Sequence, residues 1–226
     1  MLPGVRFGPA ERRARLLTTH QVDFVIDVGA NSGQYATGLR NAGYRGRIVS
    51  FEPLGEPYAC LAAAAAHDAA WECCHLALGH RQGVAHVNVS EDTRNSSLLP
   101  VGERHLRAVP DSRTLDVETV SMGRLDTMWP EIARDARRPY LKIDTQGYEL
   151  EVLHGTERAL GAISLVEAEL SLIPVYDAGP LFDDVVRFLD KHDFAPIAFE
   201  GVLDDPETGE MLQTDCIFRR RSAPAR

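Results

Sequence analysis

Short apolar runs alternate with longer amphipathic segments through most of this chain. That alternation predicts a parallel sheet with crossover helices. Pro9–His20 has the spacing of an Arg-rich amphipathic helix. Phe24–Val28 follows as an apolar run, which predicts a strand covered on both faces. Gln34–Ala42 is predicted as a helix stopped by Gly43, and Arg47–Phe51 as a second strand closed by Glu52-Pro53. Pro57 opens an alanine-rich helix running to about His67, and Trp71–Leu76 forms a third strand.

The middle of the chain changes period. Val84–Val89 and Leu115–Val120 each alternate apolar and polar residues, so both are predicted as antiparallel strands on the sheet edge or extending one end of it. The polar stretch Ser90–Arg113 between them reads as a long loop, of the kind that covers functional sites. Tyr140–Asp144 is another buried strand, followed by a helix over Tyr148–Leu160. Ile163–Leu170 is a fifth strand of the parallel set, Leu181–His192 a helix with one apolar face, and Phe194–Phe199 with Thr214–Arg219 a closing hairpin. No linker or repeat divides the chain, which predicts one domain over 1–226, with a helical extension at 1–22 and a hairpin-and-loop insertion at 83–122.

The densest chemistry lies in Asp27-Val28-Gly29-Ala30-Asn31-Ser32-Gly33. Two glycines after a strand let backbone approach a ligand, and the helix starting at Gln34 aims its amino terminus there. The spacing is Gly-x-x-x-Gly and lacks the Gly-x-Gly-x-x-Gly of dinucleotide sites. An acid at Asp27 suits a cationic ligand better than a pyrophosphate. Together these point to a nucleoside cofactor with an ammonium or sulfonium group. Four strands end in acids, Asp27, Glu52, Asp144 and Glu169, and parallel strands bring such ends to one rim. Glu52 is placed to pair with ribose hydroxyls.

Charge and cysteine usage narrow the partners. A net charge of −9 argues against non-specific binding to a phosphate backbone. No apolar run reaches membrane-spanning length and no signal-peptide core is present, so a cytoplasmic protein without membrane contact is expected. Cys60, Cys73, Cys74 and Cys216 form no Cys-x-x-Cys pair and read as buried reduced thiols. The histidines form no triad with a visible nucleophile. Oligomeric state leaves no mark in the sequence.

Several segments, in order, resemble the FkbM family of S-adenosylmethionine-dependent methyltransferases. They are Val25–Tyr35, Phe51-Glu52-Pro53, Ala77-Leu78-Gly79, Asn95-Ser96-Ser97-Leu98, Lys142–Glu149 and Glu169-Leu170-Ser171-Leu172 with Tyr176. His154 departs from the family, where a lysine is frequent. The resemblance implies an α/β, Rossmann-like class I methyltransferase fold: a seven-stranded, mostly parallel sheet with helices on both faces and an appended β-hairpin. It also implies methyl transfer to an oxygen of a small molecule, sugar or secondary metabolite. Carried onto this chain, Asp27, Gly29, Ala30, Asn31 and Gly33 would hold the methionine part of the donor, and Tyr35 and Pro53 would also belong to the cofactor site. Glu52 would take the ribose, Ala77 and Leu78 would flank the adenine, and Asn95, Ser96 and Ser97 would reach donor or acceptor.

An alcohol acceptor must lose a proton. Asp144 is the first candidate base, with a place also at the donor, and Glu169 is the second. Asp144 equally suits a cap for the helix that follows. Lys142 shares its face and either anchors Asp144 or a substrate oxygen, or packs its stem along the sheet. Glu149 falls in a first helical turn, where a carboxylate is favoured. Trp129 and Tyr176 are candidates for the acceptor pocket, with core packing the simpler role for Trp129. A divalent cation is an option the spacing does not favour, because no third ligand is visible. Two other functions compete: a nicotinamide-dependent oxidoreductase, against which the glycine spacing speaks, and a non-catalytic nucleoside-binding protein.

Overall fold

The computed structural model describes residues 7–222. The first six residues of the expected 1–22 extension lie outside the described residues. In chain order the elements are α1 (Pro9–Thr19), β1 (Phe24–Val28), α2 (Gln34–Asn41), β2 (Arg47–Glu52), α3 (Gly55–Ala65), β3 (Trp71–His75), β4 (Ala77–Leu78) and β5 (Gly83–Ser90). They continue with α4 (Glu103–Ala108), β6 (Thr114–Gly123), α5 (Leu125–Ile132), β7 (Pro139–Ile143) and α6 (Glu149–His154). The chain closes with β8 (Leu165–Ser171), α7 (Phe182–Lys191), β9 (Phe194–Asp204) and β10 (Met211–Arg220). No helix among the described residues is long and apolar enough to cross a membrane.

Seven strands form one sheet in the order β3-β2-β1-β7-β8-β10-β9. The first five run parallel and the β9–β10 hairpin is antiparallel, as expected for this class. Alternation sorts the strand residues between two cores. Ile26, Val28, Phe51, Ile143 and Ala168 face α5, α6 and α7, while Val25, Ile48, Tyr140 and Leu165 face α1, α2 and α3.

The second face turns polar toward the carboxyl ends. Ser50, Asp27, Lys142 and Glu167 lie in register across four strands, directly above the apolar row Ile48, Val25, Tyr140 and Leu165. All four polar residues are buried. Buried polar groups of this kind must be paired: Asp27 takes Ser50 and Lys142 as partners, and Glu167 takes Arg13, Tyr35 and Tyr140.

Four expectations need correction. The β5–β6 pair does not join the main sheet. It forms its own three-stranded sheet in the order β4-β6-β5, because Ala77–Leu78 turns away after β3 and pairs in parallel with Met122–Gly123. The long loop carries structure: α4 lies within it, flanked by two 3-10 turns. The helix after Asp144 ends at His154 rather than Leu160, where a Cβ on Gly155 would meet the Gly79 carbonyl oxygen at 2.1 Å. Cys60 is exposed, although all four thiols are free and Cys216 is buried. Helix α5 has no counterpart in the sequence reading. It contains Pro130, and its Trp129 packs on the main core.

Candidate active site

Strands β1 and β7 are adjacent at the point where the sheet order reverses, and open α/β sheets bind ligands outside the strand ends at such a point. The loop after β1 is fixed from two sides. Gly29 and Ala30 donate their amides to the Phe51 carbonyl, each at 3.0 Å, and the Asn31 amide donates to Glu52 Oε2 at 2.8 Å. Gly33 ends the loop in a left-handed conformation (φ 86°) and caps α2. Across the crevice, the Asp144 amide continues the β1–β7 pairing by donating to the Val28 carbonyl at 3.0 Å.

Two cavities meet here. The first, a crevice of about 550 Å³ counting the space it opens to solvent, has an apolar wall of Phe51, Leu54, Leu78, Val87 and Leu98, and the buried Glu52 lines it as well. Pro53, Ala77, Ser96 and Ser97 also line it. The second, of about 810 Å³ counting the space it opens to solvent, is lined by charged and polar side chains. Arg13, Tyr35, Lys142, Glu167 and Asp215 line it, together with Ala30. Gly29, Asn31, Arg94 and Asp144 belong to both walls.

The apolar cavity suits a nucleoside. Its apolar side chains offer packing surface to a base, and Glu52 offers carboxylate lone pairs to a diol. Glu52 already accepts from Asn31 and, at 2.9 Å, from the Leu54 amide. Burial pushes its carboxyl up to about 7, against the pull of those two amides.

The strand-end acids differ in surroundings. Asp27 is fully buried and lines neither cavity. Its carboxylate faces Lys142 Nζ at 3.2 Å and accepts from Ser50 Oγ at 3.2 Å. The cation beside Asp27 is therefore the protein's own lysine. Lys142 Nζ also sits 3.5 Å from Asp144 Oδ2 and donates to the Gly29 carbonyl at 3.1 Å. Burial works to lower the Lys142 pKa, but the Asp27 and Asp144 carboxylates outweigh it and raise the pKa, which keeps the ammonium charged.

Asp144 presents a side chain 37 % exposed to the crevice. Glu169 is buried away from both cavities and accepts from Gln146 Nε2 and Gln213 Nε2, each at 2.8 Å. Burial first, and then the Asp144 and Glu149 carboxylates, hold the Glu169 carboxyl well above its ordinary range, which favours the neutral acid. Glu149 is also buried and accepts from the Thr145 and Gly147 amides, at 2.9 and 3.1 Å, so it shapes the loop after Asp144 from inside. Burial pushes it up to about 7.

Of the remaining expected residues, Tyr35 directs its hydroxyl to Glu167 Oε2 at 2.7 Å. Ser97 Oγ donates to the Gln146 carbonyl at 2.5 Å, and Ser96 Oγ accepts from the Ser90 amide at 3.0 Å. Asn95 lies in a 3-10 turn off both walls, its carbonyl accepting from Ser90 Oγ. Gly33 also lies off both walls, packed against Leu61 and Trp71. Tyr176 is buried behind the wall, bonded to Gln146.

Sequence reasoning missed the partners around Glu167. Arg13 of α1 donates Nε to Glu167 Oε1 at 2.6 Å and reaches Asp215 Oδ2 at 2.8 Å. Tyr140 donates its hydroxyl to the same carboxylate. The two-residue spacing of Glu167 and Glu169 gave a signal for one shared face, whereas nothing local marks Arg13 or Asp215. Among the described residues no group of three His, Cys, Asp or Glu side chains is arranged to hold a metal ion.

This topology, with its crevice between β1 and β7, defines a Rossmann-like class I methyltransferase fold. Solved structures of the same fold include a fibrillarin/Nop5p complex, at 12 % identity over 97 % of this chain and 87 % of that one, with a TM-score of 0.51. An rRNA methylase from Streptococcus thermophilus matches at 10 % identity, covering 97 % of this chain and all of that one, also with a TM-score of 0.51. The methyltransferase FkbM domain profile matches residues 27–196, and the chain belongs to that family. No curated protein matches the sequence.

Proposed function

We propose that this protein is an S-adenosylmethionine-dependent O-methyltransferase acting on a hydroxyl of a small polar molecule. One observation carries the reading: Asp144 stands on the wall common to an apolar crevice and one lined by charged side chains. A donor in the first and an acceptor in the second would meet at that carboxylate.

S-adenosylmethionine, when bound, supplies a methyl group already activated on a sulfonium. The chain's task is then alignment, dryness and removal of one proton. Glu52 would take the ribose hydroxyls, and Phe51, Ala77 and Leu78 the adenine. Gly29, Ala30 and Asn31 present backbone to the methionine end. Alignment of this kind is worth on the order of 7–11 kcal/mol in favourable cases. Asp144 takes the acceptor proton, a step that contributes roughly 10²–10⁴-fold. Its exposure favours it over Glu169, which lines neither cavity. Arg13, Tyr35 and Lys142 give the acceptor cavity hydrogen-bonding walls, which favours a hydroxylated, water-soluble acceptor. The four free thiols agree with a cytoplasmic site of action.

Thermal denaturation with added ligand tests the cofactor. S-adenosylhomocysteine is expected to raise the melting temperature and NAD to leave it unchanged. Stabilisation by NAD alone would favour the oxidoreductase reading. Stabilisation by S-adenosylhomocysteine without methyl transfer to any fraction of a small-molecule extract would favour a non-catalytic nucleoside-binding protein.

A further inference from the structure

We infer that Gln146 is a positioning residue that holds the Asp144 carboxylate ready for proton removal, an inference that rests on the methyl-transfer reading above. Gln146 lies two residues beyond Asp144 in a left-handed conformation (φ 56°). Few non-glycine residues adopt it, and surrounding structure must hold it there. The side-chain amide is bonded on every side. Nε2 donates to Asp144 Oδ1 at 2.7 Å and to Glu169 Oε2 at 2.8 Å, and Oε1 accepts from the Tyr176 hydroxyl at 2.5 Å. The main-chain carbonyl accepts from Ser97 Oγ at 2.5 Å.

Asp144 fixes the sense of the amide. A flipped amide would turn its oxygen against that carboxylate, which can only accept. Tyr176 is itself immobile, being buried with its ring against His105 at 5.2 Å between centroids. Glu169 gains a second anchor in Gln213 Nε2 at 2.8 Å. Asp144 is thus clamped at Oδ1 by a neutral donor and faces the Lys142 ammonium at Oδ2. An exposed carboxylate at a strand end would otherwise sample several rotamers, and small misplacements at a reacting centre are costly in rate.

The test uses the full chain and the variants Gln146→Met and Tyr176→Phe. Methyl-labelled S-adenosylmethionine with a polar small-molecule extract as acceptor pool gives the rate. Titration with S-adenosylhomocysteine gives donor affinity. Gln146→Met is expected to lower the rate roughly 100-fold; because Gln146 also lines the apolar cavity, donor affinity is read beside it, and a rate loss well beyond any loss of affinity marks positioning. Tyr176→Phe keeps the glutamine but frees its amide; Tyr176 lies off both cavities, so the change is expected to cost about tenfold in rate and leave donor affinity within about twofold. It carries the test if Gln146→Met does not fold. Wild-type rates in these variants, beside an inactive Asp144→Asn, would overturn the positioning role alone. An active Asp144→Asn would overturn the base assignment as well.

Discussion

A Cβ placed on Gly29 would lie 1.8 Å from the main-chain carbonyl oxygen of Asp144. The glycine loop and the loop carrying the candidate base are therefore in direct backbone contact, and Gly29 adds a positive φ of 75°. Gly29→Ala is expected to cost about 2–3 kcal/mol in chemical denaturation and to abolish S-adenosylhomocysteine binding. Gly38→Ala is the control. It lies in α2 with nothing within 4 Å of its added Cβ, and is expected to stabilise by roughly 0.5–1 kcal/mol.

Lys142 and Asp27 form a buried ion pair, with side chains 9 % and 0 % exposed. Removing one partner strands the other. Lys142→Met is expected to destabilise by about 3–5 kcal/mol. The double variant Asp27→Asn/Lys142→Met is expected to cost less than the sum of the two single changes, as read by urea midpoints in a double-mutant cycle. Additivity would mean that the pair does not interact.

The strands were legible because the apolar runs are short and bounded. Phe24–Val28 comes out with the bounds read from sequence, and α2 begins at Gln34 as expected. Glu52 and Asp144 were placed on the correct rim because parallel strands share a direction. Asp27 was legible as a strand-end acid but not as a buried one. Its cation, Lys142, is a neighbour through sheet register, which the sequence does not state. Arg13 was hidden for the same reason, since it meets Glu167 and Asp215 only after α1 docks on the sheet. Helix α5 was hidden by Pro130, which reads as a breaker yet sits inside a short helix. Gln146 stood inside a recognised motif, but its role depends on Tyr176 and Glu169 arriving from elsewhere in the chain.

A ribose held by Glu52, as proposed, makes donor affinity depend on pH. Its carboxyl titrates at about 7, and the ionised form accepts hydroxyl hydrogen bonds more strongly. S-adenosylhomocysteine affinity is therefore expected to rise as pH increases through about 7. Glu52→Gln is expected to weaken binding roughly tenfold to a hundredfold and to flatten that dependence, as followed by titration calorimetry at a series of pH values. An unchanged affinity in Glu52→Gln would remove Glu52 from the ribose.

Stability should show the opposite trend. Burial pushes Glu52, Glu149 and Asp215 each up to about 7, above their unfolded values. The folded state then binds more protons than the unfolded one between about pH 4.5 and 7, so these groups make stability fall as pH rises across that window. Thermal melts without ligand are expected to follow this slope, and Glu149→Gln to reduce it. A Glu149→Gln slope equal to wild type would mean that Glu149 is ionised in the fold throughout.

The most direct measurement is a crystal structure with S-adenosylhomocysteine. The nucleoside is expected beside Phe51 and Leu78 with its ribose hydroxyls on Glu52, and the sulfur directed toward Asp144 at the mouth of the polar cavity. A nucleoside bound elsewhere, or an apolar cavity left without ligand at saturating concentration, would contradict the account.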